Sequence, residues 1–242
     1  MSLPEGLSGE RVQGLARLVS DICGRLVAGR PYLAPALLFA DHVDHPELAM
    51  PETGPDELLI HDYQALEQSS ELPLDAPLQA ELQRKDGPAS SEYRIDFGNT
   101  ALTVALRKVS RGDIAGLKPT LFRNLDQMRD LGHAPKLVVT QDQIRQYLEL
   151  SGDWNPIHHD PAYVHGLGLK DMIVPGMLLA SLIQPYCPAG AFKGLRARFM
   201  APCFANDPVA VSIQSRGTAR ARAYIHSPEG AALALVDLQF QD

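Results

Sequence analysis

The chain has 242 residues, 45% of them hydrophobic, which is enough for one large domain or two of ordinary size around a substantial core. A net charge of −7 and an isoelectric point near 5.6 argue against a surface built to neutralise nucleic-acid phosphates, although a few local cations suffice to hold an anionic ligand in a cleft. Cys23, Cys187 and Cys203 are odd in number and widely spaced, which fits neither a disulfide framework nor a zinc knuckle and points to a reducing cytoplasm. Met1 to Gly6 lacks the order of a signal peptide, and no apolar run approaches the roughly twenty residues of a membrane span.

Val12, Leu15, Leu18, Val19, Ile22, Leu26 and Val27 recur at helical spacing, so a helix is expected over 9–29, ended by Arg30-Pro31. A short helix around Pro35 to His42 leads into a loop. From Leu58 the texture becomes strand-like: Leu58 to Gln68, Leu78 to Arg84, Tyr93 to Phe97 and Leu102 to Val109, punctuated by Asp86-Gly87-Pro88 and Gly98-Asn99. A polar stretch, Gly112 to Pro135, separates this part from the rest and contains the expected linker, 126–135.

After the linker, Leu137 to Thr140 reads as a strand and Thr140-Gln141-Asp142-Gln143 as a capping box before a helix with Ile144, Tyr147 and Leu148, stopped by Ser151-Gly152. Asp160-Pro161 signals another helix start. A third helix, apolar on nearly every side, is expected from Gly176 to Tyr186, followed by strands at Leu195 to Phe199, Val209 to Gln214, Ala219 to His226 and Ala232 to Phe240. Leu74 to Gln83 and Ala205 to Gln214 look like one strand-loop-strand unit used twice, which makes duplication the expectation. Each half then buries its amphipathic sheet around its own helix, and the two sheets join edge to edge.

Chemistry concentrates at Gly152 to Asp160, where Asp153, Asn155, His158, His159 and Asp160 follow a helix stop and surround Pro156. Through a turn at Asn155-Pro156, Asp153 and His158 reach a single point. A carboxylate of pKa about 3.9 and an imidazole of about 6.5 suit acid/base work on a shared water at an activated double bond. Spacing alone leaves a structural turn equally open. Ser151 is read as satisfying the turn's backbone and Asn155 as an orienting residue, Asp160 as a cap and His159 as a surface group or one that supports the site from behind. Gly176, at a helix start after Val174-Pro175, offers a free backbone N–H as an oxyanion donor. No metal is expected, because His158, His159 and Asp160 are contiguous and diverge, and His61, His133, His165 and His226 are isolated.

Tyr147 to Pro161, containing Ser151-Gly152-Asp153-Trp154-Asn155-Pro156-Ile157-His158, resembles the hydratase motif of the MaoC-like, R-specific enoyl-CoA hydratases of hot-dog fold. Ile173 to Leu178 resembles the start of that family's central helix, and Arg198 to Pro202 with Asn206-Asp207 the strand and loop that follow. The resemblance implies an α+β double hot-dog with a degenerate, motif-free repeat at 1–125 and a MaoC-like repeat at 136–242. It implies a hydro-lyase interconverting trans-2-enoyl and (R)-3-hydroxyacyl thioesters. Asp153 and His158 become the acid/base pair, Asn155 the orienting residue and Gly176 the oxyanion donor. No cofactor is implied beyond coenzyme A or acyl carrier protein as the carrier of the substrate, and a homodimer of such chains fits. Arg196, Arg198, Arg220 and Arg222 are candidate carrier contacts or ordinary solvated strand residues. A hot-dog thioesterase and a catalytically silent thioester-binding protein are the rival readings. Two departures stand out: the charges of Leu169-Lys170-Asp171-Met172, expected to alter the mouth of the site, and the opening helix, which has no counterpart in the motif-bearing half.

Overall fold

The structure is a computed structural model that describes residues 1–41, 48, 50–114, 116, 120–122, 132–187 and 192–241. In chain order it contains β1 (Ser2–Leu3), α1 (Gly9–Cys23), α2 (Leu37–Asp41), β2 (Glu57–Gln68), β3 (Leu78–Gln79), β4 (Glu81–Asp86), β5 (Ser90–Asp96), β6 (Thr100–Ser110) and the single turn α3 (Arg111–Ile114). There follow β7 (Gly132–Val138), α4 (Gln141–Ser151), α5 (Pro161–Gly166), α6 (Gly176–Ser181), β8 (Phe192–Phe199), β9 (Pro208–Ser215), β10 (Arg220–His226) and β11 (Ala232–Phe240).

Nine strands form one antiparallel sheet in the order β4-β5-β6-β2-β8-β11-β10-β9-β7, while β1 pairs with β3 beside it. Outward from the β2–β8 pair, where Tyr63 lies opposite Arg198 and Leu66 opposite Leu195, four strands on each side follow the same order, β2-β6-β5-β4 and β8-β11-β10-β9, with β7 added beyond β9. This is the double hot-dog arrangement, two sheets sharing one hydrogen-bonded seam. Backbone detail repeats too. The two non-glycine residues with positive φ among those described are Asp75 (53°) and Asn206 (63°), each just before a strand. The Asp75 N–H donates to Leu7 O and the Asn206 N–H to Val139 O, both at 2.9 Å, so each kink ties down the chain just beyond β1 or β7. Asp and Asn tolerate this left-handed conformation better than branched residues.

The opening helix does have a counterpart. As α1 follows β1, α4 follows β7; Ser8 and Thr140 cap their starts, Gly24 and Gly152 end them in the left-handed conformation, and the helices pack together. A Cβ on Gly14 would come within 2.5 Å of Leu150 Cδ2, so glycine sets the closeness of that contact. The sequence pattern carried α1 on to residue 29, but Gly24, at φ 58°, stops it earlier and leaves Leu26 exposed in the following loop.

Met177 to Ile183 is buried on all sides, as a helix enclosed by a sheet requires. The regular helix nevertheless stops at Ser181, and Gln184–Tyr186 continues as a 3-10 turn. Pro185 lacks an N–H and its ring would strike the carbonyl four residues back. The predicted helix at Pro35 to His42 appears as a 3-10 turn, Ala34–Ala36, leading into α2, with His42 outside the described residues. Of the expected linker 126–135, residues 126–131 lie outside the described residues, and β7 already begins at Gly132. Pro135 is accommodated because β7 is an edge strand whose register shifts between Ala134 and Leu137.

Most of the apolar core is continuous across both halves; a second cluster, with Ile157, Val164 and Met172, packs beneath α5. Among the described residues no helix is long and apolar enough to cross a membrane.

Candidate active site

The capping box at Thr140 and Gln143 fixes the start of α4, and Gly152, at φ 74°, turns the chain sharply at its end. Ser151, fully buried, accepts from the Asp153 N–H through Oγ at 3.2 Å, the turn-satisfying role expected of it. The Asn155 Oδ1 accepts from Ile157 N at 3.2 Å and caps the 3-10 turn Pro156–His158. One short stretch thus delivers Asp153 and His158 on opposite sides of a side-chain-capped turn.

His158 Nδ1 lies 2.7 Å from the carbonyl oxygen of Ile173. A carbonyl only accepts, so Nδ1 carries the hydrogen and Nε2 of the neutral ring presents a lone pair. That Nε2 stands 3.8 Å from Asp153 Oδ2. Two acceptors at this separation do not bond each other, but both can receive a hydrogen from one molecule between them. His159 turns away, its Nε2 donating to Trp154 O at 3.1 Å, and Asp160 accepts from Tyr163 N at 3.0 Å as a cap. The three contiguous polar residues diverge as their spacing implies.

Asp153, Asn155, His158 and Gly176 all line one cavity of about 530 Å³. Gly176 opens α6, and no side chain caps that helix start. A Cβ on Gly176 would sit 2.9 Å from Phe199 Cε1, so a neighbouring ring as well as an incoming ligand demands glycine here. Tyr147 stands in the wall; burial and the nearby Asp153 charge push its phenol well up, so it stays protonated.

The motif-free half supplies much of the wall. Ala36, Phe39, Leu59 and Leu106 provide apolar surface, and His61, Gln64 and Arg107 provide polar groups. His61 is therefore not isolated. Its ring packs on Phe199 with centroids 4.8 Å apart, and the Asp153 carboxylate acts on it electrostatically. The trace of this in the sequence is the broken alternation Ile60-His61-Asp62-Tyr63-Gln64, a sign of a bulge that has no meaning until the strand partners are known.

One sequence expectation changes. Lys170 and Asp171 stand outside the cavity lining: Lys170 Nζ binds Asp207 at 2.6 Å, and Asp171 accepts from Gln141 and from the Met172 N–H. Their charges therefore pin the loop before α6 instead of shaping the entrance. Of the four arginines, Arg222 is committed to Asp237 and Arg196 lies 3.8 Å from Glu67, while Arg198 and Arg220 are exposed.

The double hot-dog thus brings Asp153 and His158 together in a cavity that the start of α6 also lines. Residues 126–232 match the model of the MaoC like domain. The mitochondrial 3-hydroxyacyl-[acyl-carrier-protein] dehydratase of Arabidopsis thaliana is 29% identical over 82 residues, covering 32% of this chain and 49% of that protein. The (R)-specific enoyl-CoA hydratase of Aeromonas caviae is 31% identical over 78 residues, covering 30% of this chain and 58% of that protein. The chain spans about half the length of the curated relatives it matches. In fold it is similar to HtdX of Mycobacterium tuberculosis, with a TM-score of 0.69 at 16% identity over all of this chain and 99% of that one.

Proposed function

We propose that the protein is a hydro-lyase that adds water to trans-2-enoyl thioesters and removes it from (R)-3-hydroxyacyl thioesters. The observation that carries this reading is the pair of acceptors, His158 Nε2 and Asp153 Oδ2, held 3.8 Å apart in the cavity that Gly176 also lines. A water between them donates one O–H to each, which leaves an oxygen lone pair free to attack the β-carbon. As the C–O bond forms, one water proton passes to the pair. Charge moves onto the thioester oxygen, where the Gly176 N–H stabilises it. The α-carbon then takes the proton from the pair, so one H and one OH have been added. The reverse sequence removes water. Asn155 orients the pair by capping the turn that carries His158.

One active site per chain follows from the same reading. Residues 1–125 form the motif-free repeat and 136–242 the catalytic repeat, with the active cavity at their seam. The carrier is coenzyme A or acyl carrier protein, no further cofactor takes part, and two chains assemble as a homodimer. A reducing cytoplasmic setting accords with Cys23, Cys187 and Cys203 being free thiols.

The test is to incubate the purified protein with crotonyl and longer 2-enoyl thioesters, following enoyl absorbance and free thiol together. Loss of the enoyl signal without thiol release is expected. Thiol release would make the protein a thioesterase, and inertness on both coenzyme A and acyl-carrier substrates would leave it a silent binding protein.

A further inference from the structure

The polar side chains that the motif-free half turns into the cavity have no part in the hydration just described. On β2, His61 lies opposite Leu106 of β6 and Tyr63 opposite Ala105, so Asp62 is an extra residue in the ladder. A bulge of this kind shifts the alternation of the strand. It places His61 and Gln64, three apart, on one face, opposite Leu106 and Val104, whereas an uninterrupted strand would set them on opposite faces. Both reach the cavity wall. Asp62, displaced by the bulge, instead pairs with Arg107 at 3.1 Å.

Depth within the cavity can be read from exposure. Trp154 and Met200, both exposed, mark the side facing solvent, where a carrier must remain. Gln64, Ala36 and Leu179 are buried and mark the inner end, which receives the acyl chain. Gln64 at that end, with the half-buried His61 on the same face of β2, is out of place for a plain hydrocarbon, which would leave the polar edges of both against CH₂ groups. Among the described residues the Gln64 amide contacts only Ala65 O and the His61 ring, and His61 Nε2 donates to Tyr63 O. An amide offers two hydrogens and two lone pairs, so capacity remains for a ligand.

We propose that His61 and Gln64 form a polar subsite for the acyl chain, selecting thioesters that carry an uncharged oxygen function, a hydroxyl or a carbonyl, beyond the double bond. This rests on the hydro-lyase reading of Asp153 and His158. The uncharged character follows from the surroundings. Burial holds the His61 imidazole down to about 4 despite the Asp153 and Asp62 charges, so it is neutral at ordinary pH. Among the described residues the one Lys or Arg lining the cavity is Arg107, already neutralised by Asp62. A carboxylate on the chain would meet the field of Asp153 with no free cation to offset it.

The experiment compares three pantetheine thioesters of equal chain length: trans-2-hexenoyl, trans-5-hydroxy-2-hexenoyl and trans-2-hexenedioyl. A common minimal carrier removes docking from the comparison. The wild-type protein is expected to hydrate the hydroxylated substrate with kcat/KM about tenfold or more above that of the hexenoyl compound, and to use the dicarboxylate worst. Gln64→Leu and, as a milder change, His61→Gln should each reduce that preference, chiefly through KM, and the double variant should abolish it. Equal or better use of the plain hexenoyl chain by the wild type overturns the subsite, as does a preference unmoved by either substitution. If the wild type hydrates none of the three on pantetheine, coenzyme A or acyl carrier protein, the hydro-lyase reading itself fails and the subsite with it; hydration of all three without preference sinks the subsite alone.

Discussion

The Ile173 carbonyl oxygen, 2.7 Å from His158 Nδ1, decides which nitrogen of that imidazole is free to act. Because Ile173 lies just before α6 and His158 just after the α4 turn, one hydrogen bond links the two segments that form the site, and it leaves Nε2 facing Asp153.

Removing either acceptor should therefore stop the reaction without unfolding the protein. Asp153→Asn and His158→Ala are each expected to lower kcat by about 10²- to 10⁴-fold. Turnover measured beside thermal unfolding checks this: full activity in either variant removes that residue from the mechanism.

Asn155 acts through its oxygen, which caps the turn at Ile157 N. Asn155→Asp keeps that acceptor and should retain the turn, whereas Asn155→Ala should cost about 1 kcal/mol of stability and lower kcat as His158 loses its support. Urea unfolding and steady-state rates on both variants separate the cap from a direct contact with substrate. Equal rate losses in the two would point to a role for the amide hydrogens instead.

A methyl at Gly176 meets three atoms of the Phe199 ring at 2.9–3.0 Å. Gly176→Ala should displace that ring or the start of α6, reducing stability by about 1–3 kcal/mol and kcat along with it. Pairing it with Phe199→Leu should recover stability. Recovery of the rate as well would mean that packing, rather than close approach of the thioester oxygen, sets the need for glycine.

His61 ties stability to pH. In the unfolded chain its imidazole titrates near 6.5, and burial lowers it to about 4 in the folded protein. Above 6.5 both states are neutral and His61 adds no slope. Between 6.5 and about 4 the unfolded chain holds a proton that the folded one does not, so stability falls as pH falls; below about 4 the effect is complete. His61→Gln should remove up to about 1.4 kcal/mol per pH unit of that slope, as measured by urea unfolding at pH 7 and pH 5.

The parts of the site that were legible in the chain are those made by neighbours in sequence. The Thr140 capping box, the Gly152 stop, the Asp160 cap and the convergence of Asp153 with His158 all lie within one stretch of some twenty residues, where local hydrogen bonding dictates the backbone. The start of α6 at Gly176 was legible for the same reason. Helix ends were less so: periodicity continued past Gly24 and past Ser181, but a left-handed glycine and Pro185 ended the helices.

What the sequence determined by itself was the set of polar residues that one loop brings together and the repeated order of strands. Only the tertiary structure decided what that loop faces. The β2–β8 pairing brings His61 and Gln64, remote in the chain, into the wall around Asp153, and the extra residue at Asp62 turns both inward. Strand pairing between distant segments leaves almost no local trace, because either face of an isolated strand is equally available until its partner and register are set. The packing of α1 on α4 was hidden in the same way, since Gly14 meets Leu150 only after the two halves have joined.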